Sequence, residues 1–203
     1  TEPVSVLEVS SIPPLNLEQR LSYLLDYPHG CAEQITSQAF PQLALSWLLA
    51  LRPEQQITAE NNVREVINRL RSYQTPEGGF AYWPGEPYIS EWVTSYAVNF
   101  LANAQKQGYA VPIQMLQHAT NYMRQVANSW NRTEPWSQQD QAYRLYVLAL
   151  AGKPDLAAMN RLKETRLQRP VSQWLLASAY ALSNQQEIAT KMIRDLSFKV
   201  TPY

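Results

Sequence analysis

The stretch Gln74–Pro84, QTPEGGFAYWP, brings together two prolines, two adjacent glycines and three aromatic residues. It is too broken for a helix or a regular strand. It reads as a tight turn plugged by aromatic side chains, and what lies on either side reads as helix. Upstream, Val63, Val66, Ile67 and Leu70 recur at the spacing of one helical face, with Thr58 as the predicted cap. Downstream the candidates are Ile89–Gln107, Ile113–Ala127, Gln138–Ala151, Asp155–Arg166, Val171–Leu182 and Gln185–Leu196, separated by "WPGEP", "GYAVP", "AGKPD", "LQRP" and "LSNQ". Nearer the start, Leu17–Tyr27 is short and amphipathic. Cys31–Leu51 is longer and mostly apolar all round, which predicts burial on several sides, with a kink at Pro41. Residues 1–16 alternate enough for a strand or an extended arm, and their prolines argue against a central strand. The predicted class is all-α, with residues 1–16 as an extended lead-in and 17–203 as one helical domain.

The later helices come in pairs of roughly 30 residues, the size of a helical-repeat unit. Such hairpins stack into a superhelix or close into a ring. Gln74, Gly78 and Phe80 resemble the QxxxGxW/F motif of alpha/alpha toroids, a group that includes the terpene cyclases, and that resemblance favours the ring. An ordinary glycine turn with an aromatic plug accounts for the same residues.

Composition narrows the function classes. The chain has 203 residues, 45% of them hydrophobic, enough for a sizeable single core. Its 17 acidic and 17 basic side chains cancel, so no strongly basic face is expected and nucleic acid is not an expected partner. The longest apolar run, Leu43 to Leu51, is too short to span a bilayer, and "TEPVSVLEVS" lacks the basic start and apolar block of a signal peptide. The single cysteine excludes an internal disulfide and a CxxC metal knuckle. Asn131 opens an NRT sequon, a match too frequent by chance to carry weight.

That cysteine lies in YPHGCAEQITSQAF, Tyr27–Phe40. Proline and glycine keep Tyr27–Gly30 from being helical, so a helix is expected to start at or just after Gly30, with Cys31 in its first turn. There the dipole favours a thiolate. Gln34, three residues on, shares its face. A sulfur held against a carboxamide away from water can attack the Gln34 side-chain carbonyl, expel ammonia and leave an internal thioester, with helix-start N–H groups steadying the oxyanion. Buried free cysteines are also ordinary small core residues, and CxxQ alone favours that plainer reading.

The longer string YPHGCAEQ resembles the thioester signature of the alpha-2-macroglobulin and complement superfamily, GC(G/x)EQ after a tyrosine-proline pair. Ala32 departs from the glycine usual in animal members. IPPLNLEQRLSYLLDYPHGCAEQ, GGFAYWPGEPYISEWVTSYAVNFLANAQKQGYAVP and QAYRLYVLALAGKPD resemble successive segments of bacterial alpha-2-macroglobulin thioester domains, so the likeness covers nearly the whole chain in order. The resemblance implies an alpha/alpha toroid. It implies that Cys31 and Gln34 form the thioester, that Tyr27 helps shield it, and that Gly30 and Glu33 belong to its surroundings. Glu33 has no assigned role beyond suiting a helix start, and Trp83 and Trp92 are expected to line the toroid.

The implied function is that of a protease trap, an inhibitor domain and not an enzyme. It needs no cofactor, metal or catalytic residue. A protease cuts a bait segment, the thioester is exposed, and a lysine amine of the protease is captured covalently. Other domains of a parent macroglobulin are the implied partners, with membrane attachment only through that parent and a periplasmic or cell-envelope location by analogy. A closed ring of six hairpins needs about twelve helices, so the chain is expected to fall short of the last ones.

In complement members that prefer hydroxyl targets, a histidine roughly a hundred residues after the thioester forms an acyl-imidazole. The corresponding stretch, Trp130–Gln139, has none, which implies amine preference. His29 reads as a turn residue and His118 as a surface residue. Three rivals stand beside this reading. A toroid enzyme of the cyclase or prenyltransferase type would need a DxDD-like run or a metal set that the sequence lacks. A helical scaffold with an inert cysteine remains open. A cysteine hydrolase pairing Cys31 with His29 would need side chains that diverge at a helix start.

Overall fold

The structure, a computed structural model, describes residues 30–48, 50–131, 134–194 and 196. The predicted lead-in 1–16, the predicted helix Leu17–Tyr27, and Tyr27 and His29 lie outside the described residues.

Nine helices follow one another among the described residues: α1 (Ala32–Ala39), α2 (Leu45–Leu48), α3 (Pro53–Arg69), α4 (Glu91–Lys106), α5 (Ile113–Ser129), α6 (Pro135–Leu150), α7 (Leu156–Glu164), α8 (Pro170–Leu182) and α9 (Gln186–Ile193). No strand is present among them; an isolated antiparallel bridge joins Gln74 and Phe80. From α4 onward, short connections make neighbouring helices antiparallel. Packing then sorts them into two layers. The inner helices α1, α4, α6 and α8 touch one another in that order, and the outer helices α3, α5, α7 and α9 each lie against one or two inner ones. This is the arrangement of an alpha/alpha toroid.

Side chains explain the sorting. The outer helix α5 buries one stripe, Met115, Leu116, Ala119, Thr120, Met123 and Ala127, and exposes the rest. The inner helix α6 buries nearly every residue from Gln141 to Leu150 because it is covered from several sides. The inner helices α6 and α8 pack together and each buries small residues, Ala142 and Ala149 on the first and Ala177 on the second. The three inner helices α4, α6 and α8 also stop alike. Gly108, Gly152 and Asn184 take positive φ, and the next residue's N–H reaches back to a carbonyl five residues earlier, Tyr109 to Ala104, Lys153 to Leu148 and Gln185 to Tyr180. One buried charge ties the inner layer: Arg144 of α6, 3% exposed, pairs with Glu91 at the start of α4 and with Gln141.

Sequence reading placed most helices within a few residues, with three corrections. Cys31–Leu51 is not one kinked helix. It breaks into α1, a 3₁₀ turn at Pro41–Leu43, and the single turn α2, because Pro41 has no N–H to continue the ladder. Nor is it buried all round, since Trp47 is 78% and Leu48 63% exposed. Thr58 is not a cap. Helix α3 starts earlier, with Pro53 at its first position, and the Thr58 hydroxyl donates to the Glu54 carbonyl inside it.

The QxxxGxF residues make the hairpin junction. Gln74 Nε2 donates to the carbonyls of Gly78 (2.8 Å) and Met115 (2.9 Å), which joins the turn to α5. Phe80 is fully buried; its N–H donates to Thr94 Oγ1 at 2.8 Å and its carbonyl accepts from Ser90 N–H at 2.9 Å, which joins the turn to α4. Gly78 has φ +99°, and a Cβ there would stand 2.6 Å from the His118 carbonyl oxygen. Gly78→Ala is therefore expected to cost at least about 2 kcal/mol, roughly 4–8 °C in Tm, with the shift read by thermal unfolding.

Asp155 caps α7, accepting from Ala158 N–H at 3.0 Å and from the Asn128 amide at 2.9 Å. Burial pushes its carboxyl up, but those two donors with Arg124 and Arg161 outweigh that and hold it below the ordinary carboxylate range. A depressed folded value contributes stability above the unfolded value and loses it as pH falls through the folded one. Asp155→Ala should cost about 1–2 kcal/mol at neutral pH. The difference from wild type should shrink as denaturation midpoints are followed below about pH 4.

Candidate functional site

Gly30 has φ +120°, and Cys31 follows in extended geometry, φ −71° and ψ 169°, as the N-cap of α1. Cys31 thus stands one residue before the helix rather than within its first turn. Gln34 occupies the third helical position and supplies one half of a capping box, its side chain reaching back to the N-cap; the Cys31 sulfur makes no cap bond in return. Gln34 Oε1 accepts the Cys31 N–H at 3.0 Å. The fold thereby folds the carboxamide back over the residue that carries the thiol. The Cys31 residue is 8% exposed, whereas Gln34 is exposed. The same backbone device occurs at α3, where Gln55 Oε1 accepts the Arg52 N–H at 3.0 Å. What distinguishes the start of α1 is the sulfur.

Three features hold this turn in place. A Cβ on Gly30 would lie 3.0 Å from Gln34 Cδ and 3.2 Å from its Cβ, so the carboxamide packs where any other residue would place a side chain. The buried Tyr73 donates its hydroxyl to the Gly30 carbonyl at 2.9 Å. The Ala32 N–H donates to the Tyr82 carbonyl at 2.9 Å. Tyr73 and Tyr82 flank the QxxxGxF junction, and sequence reading missed both. No local signal marks Tyr73, which lies 43 positions from Gly30, and Tyr82 acts through its backbone.

Glu33 is half-buried and accepts from Trp92 Nε1 at 3.4 Å. Trp92 stacks on Tyr96 with rings 5.7 Å apart and tilts against Tyr143 at 5.5 Å; Tyr96 continues to Phe40 and Tyr143 to Tyr146. An aromatic row thus crosses the inner helices beside α1. Burial pushes the Tyr143 phenol up to about 12 against the lowering bond from Asn99, which keeps it protonated at neutral pH. Trp92 lies on the inner layer as expected. Trp83 does not; it stands half exposed on the loop after the junction.

Trp130–Gln139 joins α5 to α6, with Trp130 Nε1 donating to Ser137 Oγ at 2.9 Å. Trp130, Trp136 and Ser137 share a cavity of about 130 Å³ with Glu91, the neighbour of the Trp92 whose indole donates to Glu33. His118 is exposed on α5. Among the described residues no group of three or more His, Cys, Asp and Glu side chains could hold a metal ion, and no helix is long and apolar enough to cross a membrane.

This helical toroid, with a Cys-x-x-Gln cap at the head of its first inner helix, has known counterparts. Residues 5–132 match the A-macroglobulin TED domain family, and the chain belongs to that family. It is 30% identical over 172 residues to alpha-2-macroglobulin of Escherichia coli (strain K12), an overlap covering 79% of this chain and 10% of that protein. A structure of native Escherichia coli alpha-2-macroglobulin superposes with a TM-score of 0.75 at 26% identity, over 90% of this chain and 31% of that one. Salmonella alpha-2-macroglobulin reacted with methylamine gives 0.75 at 27% identity, over 90% and 13%. The chain therefore spans about a tenth of the length of the relatives it matches in sequence.

The packing of Gln34 against Gly30 is testable by amide hydrogen exchange. Gly30→Ala should displace the carboxamide and speed exchange of the Cys31 N–H roughly three- to tenfold, the equivalent of one neutral hydrogen bond. Gly85→Ala, at a positive φ with nothing within 4 Å, should leave that N–H unchanged.

Proposed function

We propose that Cys31 and Gln34 form an internal thioester, and that the chain is the thioester domain of a larger bacterial macroglobulin that traps proteases. The observation that carries this reading is the capping geometry at the head of α1. It sets a carboxamide oxygen on the N–H of the very residue whose sulfur would attack, in a chain that belongs to the TED family. In the step, Cys31 Sγ bonds to Gln34 Cδ, the C–N bond breaks, and the thiol proton leaves with ammonia. The Cys31 N–H steadies the negative charge that builds on Oε1. The Ala32 N–H does not serve, since it is engaged by Tyr82.

An amine later attacks the same carbonyl. An amide forms, the C–S bond breaks, and the amine's proton goes to sulfur. The Salmonella relative that was reacted with methylamine supports amines as the attacking class. So does the lack of histidine in Trp130–Gln139, and a lysine of a cleaving protease is the natural form of such an amine. Gln34 is exposed in this domain. In this reading, Tyr27 and the neighbouring domains of the parent keep water from the bond. Those domains, a bait segment and an envelope or periplasmic location belong to the same proposal, and the domain acts as an inhibitor part without enzymatic turnover or cofactor. A second reading, an inert cysteine in a scaffold, draws on the Arg52–Gln55 cap, where the same bond has no chemistry attached.

Intact-mass analysis of the freshly prepared full-length protein separates the two. The thioester reading expects a mass lower by one ammonia and no free thiol. Methylamine should then add and release one thiol, far faster than glycerol does, and Cys31→Ala should abolish every one of these signals. A full-mass protein with unmodified Gln34 and a titratable thiol would favour the scaffold. Glycerol reacting as fast as methylamine would remove the amine preference.

A further inference from the structure

The Gly30 carbonyl and the Cys31 N–H are two ends of one peptide group. Tyr73 hydroxyl donates to the first at 2.9 Å, and the second donates to Gln34 Oε1 at 3.0 Å. We infer that Tyr73 is a positioning residue for the thioester, acting through this peptide group on the reactivity of the Gln34 carbonyl; the inference rests on the function proposed above.

Two physical effects run through the chain phenol, peptide, carboxamide. The first is orientation. Gly30 sits at φ +120°, in a conformation with wide rotational freedom, so the plane of the Gly30–Cys31 peptide is set by what holds its ends. Tyr73, 3% exposed in the 3₁₀ turn Leu70–Tyr73 that follows α3, is locked in the core and fixes the carbonyl end. The N–H end is thereby aimed at Oε1. The second effect is polarisation. A donor on a peptide carbonyl draws electrons from its nitrogen and makes its N–H a stronger donor, by about 10–30% per bond in condensed phases. Charge on Oε1 is greater in the tetrahedral state than in either the carboxamide or the thioester. A strengthened Cys31 N–H therefore stabilises the transition state more than the ground state, both when the bond forms and when an amine opens it.

The adjoining N–H is already engaged elsewhere. Ala32, the next residue, has its N–H on the Tyr82 carbonyl. Arg52–Gln55 offers an internal comparison: there Gln55 takes the N-cap N–H in the same way, but that device lies on an exposed helix start. Tyr73 also precedes Gln74, whose carboxamide pins the hairpin junction. The junction that shapes the toroid and the group that tunes the thioester thus lie on adjacent residues.

The test uses the full-length protein with Tyr73→Phe, which keeps the buried ring and removes the hydroxyl. Two readouts are taken on molecules that carry the thioester: the rate of thiol release by methylamine, and the infrared stretch of the thioester carbonyl with glutamine labelled in its side-chain carbonyl carbon. Tyr73→Phe should slow opening roughly three- to tenfold, the weight of one neutral hydrogen bond, and raise the carbonyl frequency. Tyr73→3-fluorotyrosine keeps the packing and strengthens the donor, so both readouts should move the opposite way. That reversal would not follow from a merely structural role, and it stands even where Tyr73→Phe folds poorly. Unchanged rate and frequency in the two variants, beside a wild type that carries the bond, would overturn the inference alone. A wild type that never loses ammonia would remove the proposed function and this inference with it.

Discussion

The carboxamide of Gln74 bonds at once to the carbonyls of Gly78 and Met115, and much of the molecule is arranged around that double bond of donors. A connection broken by proline and glycine carries backbone groups that no helix or sheet can satisfy, and buried ones need partners. Here the junction supplies them internally. Thr75 and Gly79, Phe80 and Ser90, and Ala81 and Tyr73 pair through their main chains, and Thr94 takes the Phe80 N–H. The outer helix α3, the inner helix α4 and the outer helix α5 are thereby set relative to one another by a single loop. The same segment then reaches sideways through Tyr73 and Tyr82 to the start of α1. Fold and site therefore share one support.

Around that support the inner layer is held by close packing and by a few directed interactions. Helices α6 and α8 pack together with buried alanines on each, and Arg144, buried on α6, is matched by Glu91 on α4. A buried charge of this kind adds little net stability, but it penalises any arrangement that separates the two helices. The aromatic row from Phe40 through Tyr96, Trp92 and Tyr143 to Tyr146 runs across the same layer, and Glu33 joins its edge through the Trp92 indole. The first residues of α1 are consequently steadied from both sides, by the junction loop on one and by this row on the other.

The site itself is a modified helix cap. Glutamine at the third position accepting the N-cap N–H is a common way to start a helix, and this chain uses it at α3 as well as at α1. At α1 the N-cap carries a thiol and the carboxamide backs onto a glycine with φ +120°, the geometry from which the proposed thioester is argued.

From the sequence alone, the helical class, the order of nearly all the helices and the nearness of Gln34 to Cys31 at a helix start were legible, because periodicity, breakers and a three-residue spacing are local properties. Local reasoning failed where a residue's partner is distant in the chain. It extended α1 through Pro41 and expected burial at Trp47 and Leu48, since an apolar run does not say which of its faces a neighbour covers. It placed a cap at Thr58 although Pro53 could already begin α3. It could not see Tyr73 on Gly30 or Tyr82 on Ala32, contacts that exist only once the hairpin junction has folded back on α1. Residue types and spacing determined which groups come together at the head of α1; tertiary packing decided which peptide groups hold them, because hydrogen-bond direction is set by the position of the whole backbone and not by the order of its side chains.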